Sequence, residues 1–120
     1  MRGRIGVAIW LSLLAFAGCG QGKSTDGLIG DLGSAKEGER VKAVRLLQHR
    51  QGDATKVVPA LIESLKDEHA DIRWSAAIGL GYFGSQAQAA LPALREAERD
   101  TDSRVREGAR VAISRIASKK

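Results

Sequence analysis

The stretch that decides the fold is residues 59–84, which read PALIESLKDEHADIRWSAAIGLGYFG. Its apolar residues recur at helical spacing in two blocks, and a polar turn at residues 67–70 separates the blocks. Pro59 is accommodated only in the first turn of a helix, so it marks the start of the first block. Gly84 follows the second block, where a helix C-terminus favours a residue able to adopt positive φ. The stretch therefore predicts two helices joined by a short turn.

The same pattern recurs at an offset of 33 residues without a gap. The tripeptide Pro-Ala-Leu at residues 59–61 returns at residues 92–94, and a further step towards the N-terminus puts Leu28 and Ala43 on equivalent apolar positions. No segment alternates polar and apolar residues for long enough to be a strand. We therefore predict an all-α fold, a short α-solenoid of about three two-helix repeats. The predicted repeats cover about residues 27–59, 60–92 and 93–120.

These repeats resemble HEAT-like repeats of the phycobilisome-lyase type. The resemblance spans about residues 27–120 and is carried by residues 60–67, 71–73 and 76–84. It implies that the turn aspartate of each repeat and the arginine near the start of the second helix form a ladder between neighbouring repeats. The residues that match this pattern are Asp67, Arg73, Asp100 and Arg106. In the first copy Ser34 stands for the aspartate and Arg40 for the arginine.

The N-terminal segment has the pattern of an export signal. Two arginines precede the apolar run of residues 5–17, which is shorter than the roughly 20 residues that a membrane-spanning helix needs. Residues 16–19, Phe-Ala-Gly-Cys, resemble the lipobox of bacterial lipoproteins, a family in which the chain is cut before the cysteine and the cysteine is acylated. The resemblance implies a signal peptide over residues 1–18, a lipidated Cys19 and a flexible tether over residues 19–26.

This leader predicts a location at a membrane surface of a bacterial cell envelope. Each buried CH₂ of an acyl chain, such as palmitate, contributes about 0.8 kcal/mol, so several chains on Cys19 would anchor the protein almost irreversibly. Gly20 stands where lipoproteins retained in the inner membrane carry aspartate. In a Gram-negative cell the resemblance therefore implies an outer membrane lipoprotein that faces the periplasm.

The charge and the reactive side chains exclude several classes of function. The net charge of +5 falls to +3 without Arg2 and Arg4 of the leader, and acidic residues lie between basic ones along the rest of the chain. One cysteine excludes an internal disulfide and a Cys-rich zinc site. His49 and His69 fall in different parts of different repeats, and the sequence suggests no grouping of nucleophile and base. We therefore expect no catalytic residue, metal, cofactor, nucleic-acid partner or small-molecule substrate.

The candidate binding site is a stripe on the second helix of the middle repeat. Trp74, Ile78 and Tyr82 recur at every fourth residue, so they share one helix face. In this architecture the second helices line the concave surface, and an aromatic centre rimmed by charge is typical of a protein-binding hot spot. The predicted flanking residues from the neighbouring repeats are Arg45, His49, Val111 and Arg115. The alternative interpretation is that Trp74 and Tyr82 complete a thin core.

The sequence thus predicts a membrane-tethered, non-enzymatic module that binds an unidentified protein or peptide of the cell envelope through its concave face. Two alternatives stay open. The resemblance to bilin lyases suggests a subunit or relative of such an enzyme. A tethered solenoid that self-associates in a purely structural role is also compatible with the pattern.

Overall fold

The computed structural model describes residues 22–118. Within this range the chain forms six α-helices and two 3₁₀ helices and contains no strand, which confirms the predicted all-α fold. The α-helices are α1 (Thr25–Asp31), α2 (Glu37–Leu47), α3 (Ala54–Ser64), α4 (Ala70–Phe83), α5 (Leu91–Ala97) and α6 (Ser103–Ala117). The 3₁₀ helices, Gln51–Asp53 and Gly84–Ala90, lead into α3 and α5.

The helices are arranged as three consecutive pairs. α1 packs on α2, α3 on α4 and α5 on α6, so each pair forms one repeat. In the layer of second helices, α4 lies between α2 and α6 and packs against both. This is a short helical repeat domain in which the middle repeat has a neighbour on each side. None of the helices in residues 22–118 is both long enough and apolar enough to cross a bilayer.

The core repeats with the same period as the sequence. Two sets of equivalent positions are buried, namely Leu28, Leu61 and Leu94 on the first helices and Ala43, Ala76 and Ala109 on the second helices. Each leucine side chain removed from water contributes about 1.5–3 kcal/mol, so the leucines supply much of the driving force for pairing the helices. The alanines are small enough for neighbouring helices to approach closely. One core therefore runs through all three repeats.

The prediction of a tether over residues 19–26 was wrong at its C-terminal end. α1 begins at Thr25, and the side chain of Ser24 caps it by accepting a hydrogen bond from a backbone N–H of the first turn. Lys23 is also fixed to this helix, because its Nζ lies 2.7 Å from a carboxylate oxygen of Asp31. The repeat domain therefore starts within the predicted tether. The predicted signal peptide and the lipidation site lie outside the described residues.

The position predicted for Pro59 was also wrong. The proline lies inside α3, which begins at Ala54, whereas Pro92 does lie in the first turn of α5. Proline inside a helix removes one backbone hydrogen bond. The extra turn of α3 compensates by placing Val57 and Val58 in the core, at 0% and 4% exposure. The burial of these two valines favours a helix that begins before the proline.

Candidate interaction surface

A ladder of ion pairs joins the repeats along their turns. Arg40, near the start of α2, donates through Nε and Nη2 to the two carboxylate oxygens of Asp67 in the next repeat, at 2.8 and 3.2 Å. Arg73 repeats this arrangement with Asp100, at 2.8 and 2.9 Å. None of the four side chains is more than 15% exposed, so both bidentate pairs are shielded from solvent.

Each ladder arginine also bonds to the turn of its own repeat. Nη1 of Arg73 donates to the backbone carbonyl of Asp67 at 2.9 Å, and Nη1 of Arg40 donates in the same way to the carbonyl of Ser34 at 2.8 Å. Arg106 makes the corresponding bond to its own turn at 2.8 Å. Because this acceptor is a backbone atom, the serine in the first repeat performs the same task as the aspartates in the other two.

The ladder lowers the pKa values of its two carboxyl groups. For Asp100, the hydrogen bond from Arg73 lowers the pKa and outweighs the opposing effect of burial. For Asp67, burial acts to raise the pKa, but the hydrogen bonds from Arg40 and from the backbone N–H of His69 bring it below its ordinary value. Both carboxylates are therefore charged at neutral pH and able to hold neighbouring repeats together.

Trp74, the first residue of the predicted stripe, is half-buried on α4. A Cβ atom added to Gly108 of α6 would lie 3.1 Å from Cδ1 of the indole, so the ring packs directly on the α6 backbone there. The guanidinium of Arg104 lies over the ring, with Cζ 5.9 Å from the centroid. Trp74 thus fills the space between two second helices and also keeps part of its surface in contact with solvent.

Tyr82 is the exposed end of the stripe, with 46% of its surface accessible to solvent. Its ring stacks on that of His49, with a centroid distance of 6.3 Å and an interplanar angle of 23°. The Cζ of Arg115 lies 5.6 Å from the same ring centroid. These three residues occupy equivalent positions in the three repeats, and we call them the stacked row. The row holds the tyrosine in a defined orientation at the surface rather than in the core.

Two grooves flank the stripe. One of about 470 Å³ lies between α2 and α4, and one of about 130 Å³ lies between α4 and α6. Ile78 lines both grooves, Arg45 and His49 line the first, and Val111 and Arg115 line the second. All seven residues predicted for the stripe and its flanks therefore meet on one surface, which we call the second-helix face.

Leu46 also belongs to this surface and was missed by the sequence analysis. It is 42% exposed and lines the groove between α2 and α4. Its equivalents in the other repeats are Gly79 and Ala112, both of which are buried. A large apolar residue at a position where the other two copies have small residues is the signal that would have identified it.

The described residues contain no group of three or more His, Cys, Asp or Glu side chains that could hold a metal ion. The two histidines occupy different surroundings. His69 lies at the N-terminus of α4, where its Nδ1 is 3.4 Å from a carboxylate oxygen of Glu37. His49 belongs to the stacked row. What the second-helix face offers chemically is apolar and aromatic surface beside basic side chains.

Comparison with known proteins places this architecture in a family. The family model described as HEAT repeats matches residues 25–115. The chain is also similar to a chain in the structure of the complex of CpcE and CpcF of phycocyanin lyase from Nostoc sp. PCC7120, with a TM-score of 0.73 and 27% identity. That match covers 81% of this chain and 38% of the other chain, so the present chain spans little more than a third of its length. No curated protein matches. With three helical pairs on one core, a ladder between them and a family match along most of its length, the chain belongs to the HEAT repeat family.

Proposed function

We propose that the chain is a non-enzymatic interaction module that binds a partner protein or peptide through the second-helix face, which the family resemblance implies is concave. The observation that carries the proposal is where the exposed apolar side chains lie. Within residues 22–118 the large apolar residues with the greatest exposure are Leu46, Tyr82 and Val111, and all three line the two grooves. Clustered apolar exposure of this kind is typical of interaction sites.

The stacked row favours binding on entropic grounds. His49 and Arg115 both lie against the Tyr82 ring, so part of the side-chain freedom that binding would cost is already restricted. Tyrosine is also enriched in binding hot spots, because it combines a large apolar ring with a polar hydroxyl. A preorganised tyrosine between two grooves therefore supports an anchoring role.

The groove residues that the structure describes include no nucleophile hydrogen-bonded to a base, which agrees with the non-enzymatic part of the proposal. Ser75 and His49 both line the first groove, but no hydrogen bond joins their side chains in the described part of the chain. Ser75 is only 6% exposed, so its hydroxyl is poorly placed for attack on a substrate.

The proposal predicts that Tyr82→Ala lowers partner affinity by at least about tenfold, as expected for a hot-spot residue, and changes the melting temperature little. Capture from envelope extracts would compare the wild-type chain with Tyr82→Ala and with Glu63→Ala, an exposed control on the first-helix layer. We expect one set of proteins to be retained by the wild type and the control and to be lost with Tyr82→Ala. Equal capture by all three chains would contradict the proposal. Trp74→Ala is a weaker probe, because the indole also fills space between helices.

We further infer that the chain is a bacterial lipoprotein anchored through Cys19. The support comes from the sequence alone, namely the apolar run of residues 5–17 and the small residues before the cysteine. Mass spectrometry of protein extracted from membranes is expected to find an acylated Cys19 as the first residue. A mature chain that still begins at Met1 would contradict this inference.

A second candidate function is that of a subunit or relative of a bilin lyase. The 27% identity to a chain of the phycocyanin lyase complex favours it. Visible absorbance from a bilin retained by the chain after purification from a bilin-producing host would support this candidate. A colourless chain that binds a peptide at the second-helix face would favour the interaction module.

A further inference from the structure

We propose that the segment bound in the two grooves is an extended acidic stretch of the partner protein, with an apolar residue between its carboxylates. This inference rests on the proposed function and adds the chemistry that the second-helix face recognises.

The lining of the grooves carries the first step. It contains two arginines and a histidine, namely Arg45, His49 and Arg115, and neither aspartate nor glutamate. A basic lining without acidic residues attracts a negatively charged segment and repels a basic one.

Within the described residues the two arginines have no carboxylate partner. Among residues 22–118 neither Arg45 nor Arg115 forms a salt bridge. Arg104, at the edge of the same face, is by contrast already paired with Asp71 at 2.9 Å and with Asp102 at 3.2 Å. The charges of Arg45 and Arg115 therefore remain available to carboxylates brought by a partner.

The grooves of the opposite layer, which the first helices form, carry a different set of charges. Its two grooves, between α1 and α3 and between α3 and α5, occupy equivalent positions in successive repeats. Glu63 and Asp67 line the first of them, and Glu96, Asp100 and Lys66 line the second. The two aspartates are paired with the ladder arginines, so the glutamates are the acidic side chains that these grooves present. Both layers belong to the same small domain and share its net charge. The contrast between their grooves therefore comes from where the charged residues are placed. The difference between the layers selects the second-helix face for an acidic segment.

The spacing of the helices suggests the order of residues in the bound segment. Packed helix axes lie about 8–10 Å apart, and α4 lies between α2 and α6. The axis of α2, which carries Arg45, is therefore about 16–20 Å from that of α6, which carries Arg115. An extended chain advances about 3.3 Å per residue, so about five or six residues cover this distance. Ile78 and the stripe lie between the two arginines. An apolar residue flanked by two acidic ones therefore matches the face.

Residues 1–21 and 119–120 do not fit this description. Residues 1–21 include Arg2 and Arg4 and no acidic residue, and residues 119–120 are both lysine. Charge therefore favours a different polypeptide as the bound segment.

The test is fluorescence anisotropy with the full chain purified in detergent and three labelled peptides of equal length. The acidic peptide has two glutamates about six residues apart on either side of a tryptophan, in a Gly/Ser background. The other two peptides carry glutamine or lysine in place of the glutamates. We expect the acidic peptide to bind about tenfold more tightly than the glutamine peptide, and its affinity to fall as salt is added.

The variants locate the binding. Arg45→Ala and Arg115→Ala are each expected to reduce the preference for the acidic peptide over the glutamine peptide about threefold to fivefold. The matched control is Arg95→Ala, which removes an exposed arginine from α5 on the other layer and is expected to have no effect. Preferential binding of the acidic peptide that neither groove variant weakens would overturn the inference.

Two further outcomes separate this inference from the proposed function. Equal binding of all three peptides, lost with Tyr82→Ala, would overturn the acidic specificity and leave the second-helix face as a binding site. No binding by any peptide would overturn the acidic inference, whereas the proposed function would still be decided by the capture experiment with Tyr82→Ala.

Discussion

Arg40, Arg73 and Arg106 occupy the same position in three repeats, yet they meet different acceptors. The first two reach a carboxylate in the following repeat, at Asp67 and Asp100. Arg106 donates only to backbone carbonyls of its own turn within the described chain. Within the described chain all three arginines therefore bond to their own turn, and two of them also bond to the next repeat.

This difference predicts unequal costs for two identical substitutions. Arg73→Ala leaves Asp100, which is 12% exposed, without its charged partner, so we expect a loss of about 2–3 kcal/mol in the free energy of unfolding. Arg106→Ala is the matched control and removes only local bonds, with an expected loss below about 1 kcal/mol. Urea unfolding followed by circular dichroism measures both. Equal losses would show that the pair between repeats adds no stability.

The resemblance to HEAT-like repeats predicted most of this ladder, because the arginine and the turn aspartate stand at the positions that the family pattern requires. The sequence could not show that Ser34 replaces the turn aspartate as the acceptor of the local bond in the first repeat. The serine looks like a departure from the pattern when only side chains are compared. In the structure the arginine of that repeat uses the backbone carbonyl, which every residue type possesses.

At the scale of the helices, α1 forms although Gly27, Gly30 and Gly33 lie in or beside it. Each glycine lowers the stability of a helix by about 1 kcal/mol relative to alanine, so intrinsic propensity alone disfavours this helix. The cap from Ser24 and the burial of Leu28, at 2% exposure, offset the weak propensity. Both contributions depend on neighbouring chain segments and do not appear in a propensity count.

Two glycine substitutions are therefore expected to have opposite effects. A Cβ added at Gly30 would meet no heavy atom within 4 Å, so Gly30→Ala should stabilise the domain by up to about 1 kcal/mol. Gly84 has a φ of +55°, which other residues rarely adopt, so Gly84→Ala should destabilise it by about 1–2 kcal/mol. Thermal unfolding of the two variants beside the wild type checks the signs. A destabilising Gly30→Ala would contradict the proposed balance in α1.

On α4, helical spacing placed the stripe on one face but could not give the depth of each residue. Trp74 is half-buried because Gly108 on the neighbouring helix admits its ring. Tyr82 remains exposed because its neighbours His49 and Arg115 are themselves surface residues. The depth of a side chain depends on the size of residues in another repeat, and periodicity within one helix carries no information on that.

At the scale of the whole domain, the two ends of the stack differ from its interior. Ile72 and Val105 are fully buried, whereas Glu39, their equivalent in the first repeat, is exposed. At the other end Ala77 is fully buried and its equivalent, Arg110, is exposed. Charged residues at the ends of a repeat stack reduce the apolar surface that would attract another copy.

A head-to-tail contact between two copies would also place unfavourable residues together. Arg106 of one copy would face Ser34 of the next, where Arg73 inside the stack meets Asp100. Inside the stack the equivalents of Arg110 and Lys42 are Ala77 and Gly108, and a Cβ added to the glycine would lie 3.6 Å from that of the alanine. Arg110 of one copy would therefore approach Lys42 of the next. The contact would therefore lack one ion pair and bring two like charges together.

These contacts predict that the domain is monomeric, in contrast to the self-associating alternative. Sedimentation velocity of a fragment covering residues 22–118 is expected to give one species of monomer mass at all concentrations. A variant combining Ser34→Asp, Glu39→Val, Lys42→Gly and Arg110→Ala gives these end positions the residue types found inside the stack, so we expect it to associate as the concentration rises. If the wild-type fragment associated and the variant did so no more strongly, the end residues would not control assembly. The structural role would then be favoured over the interaction module.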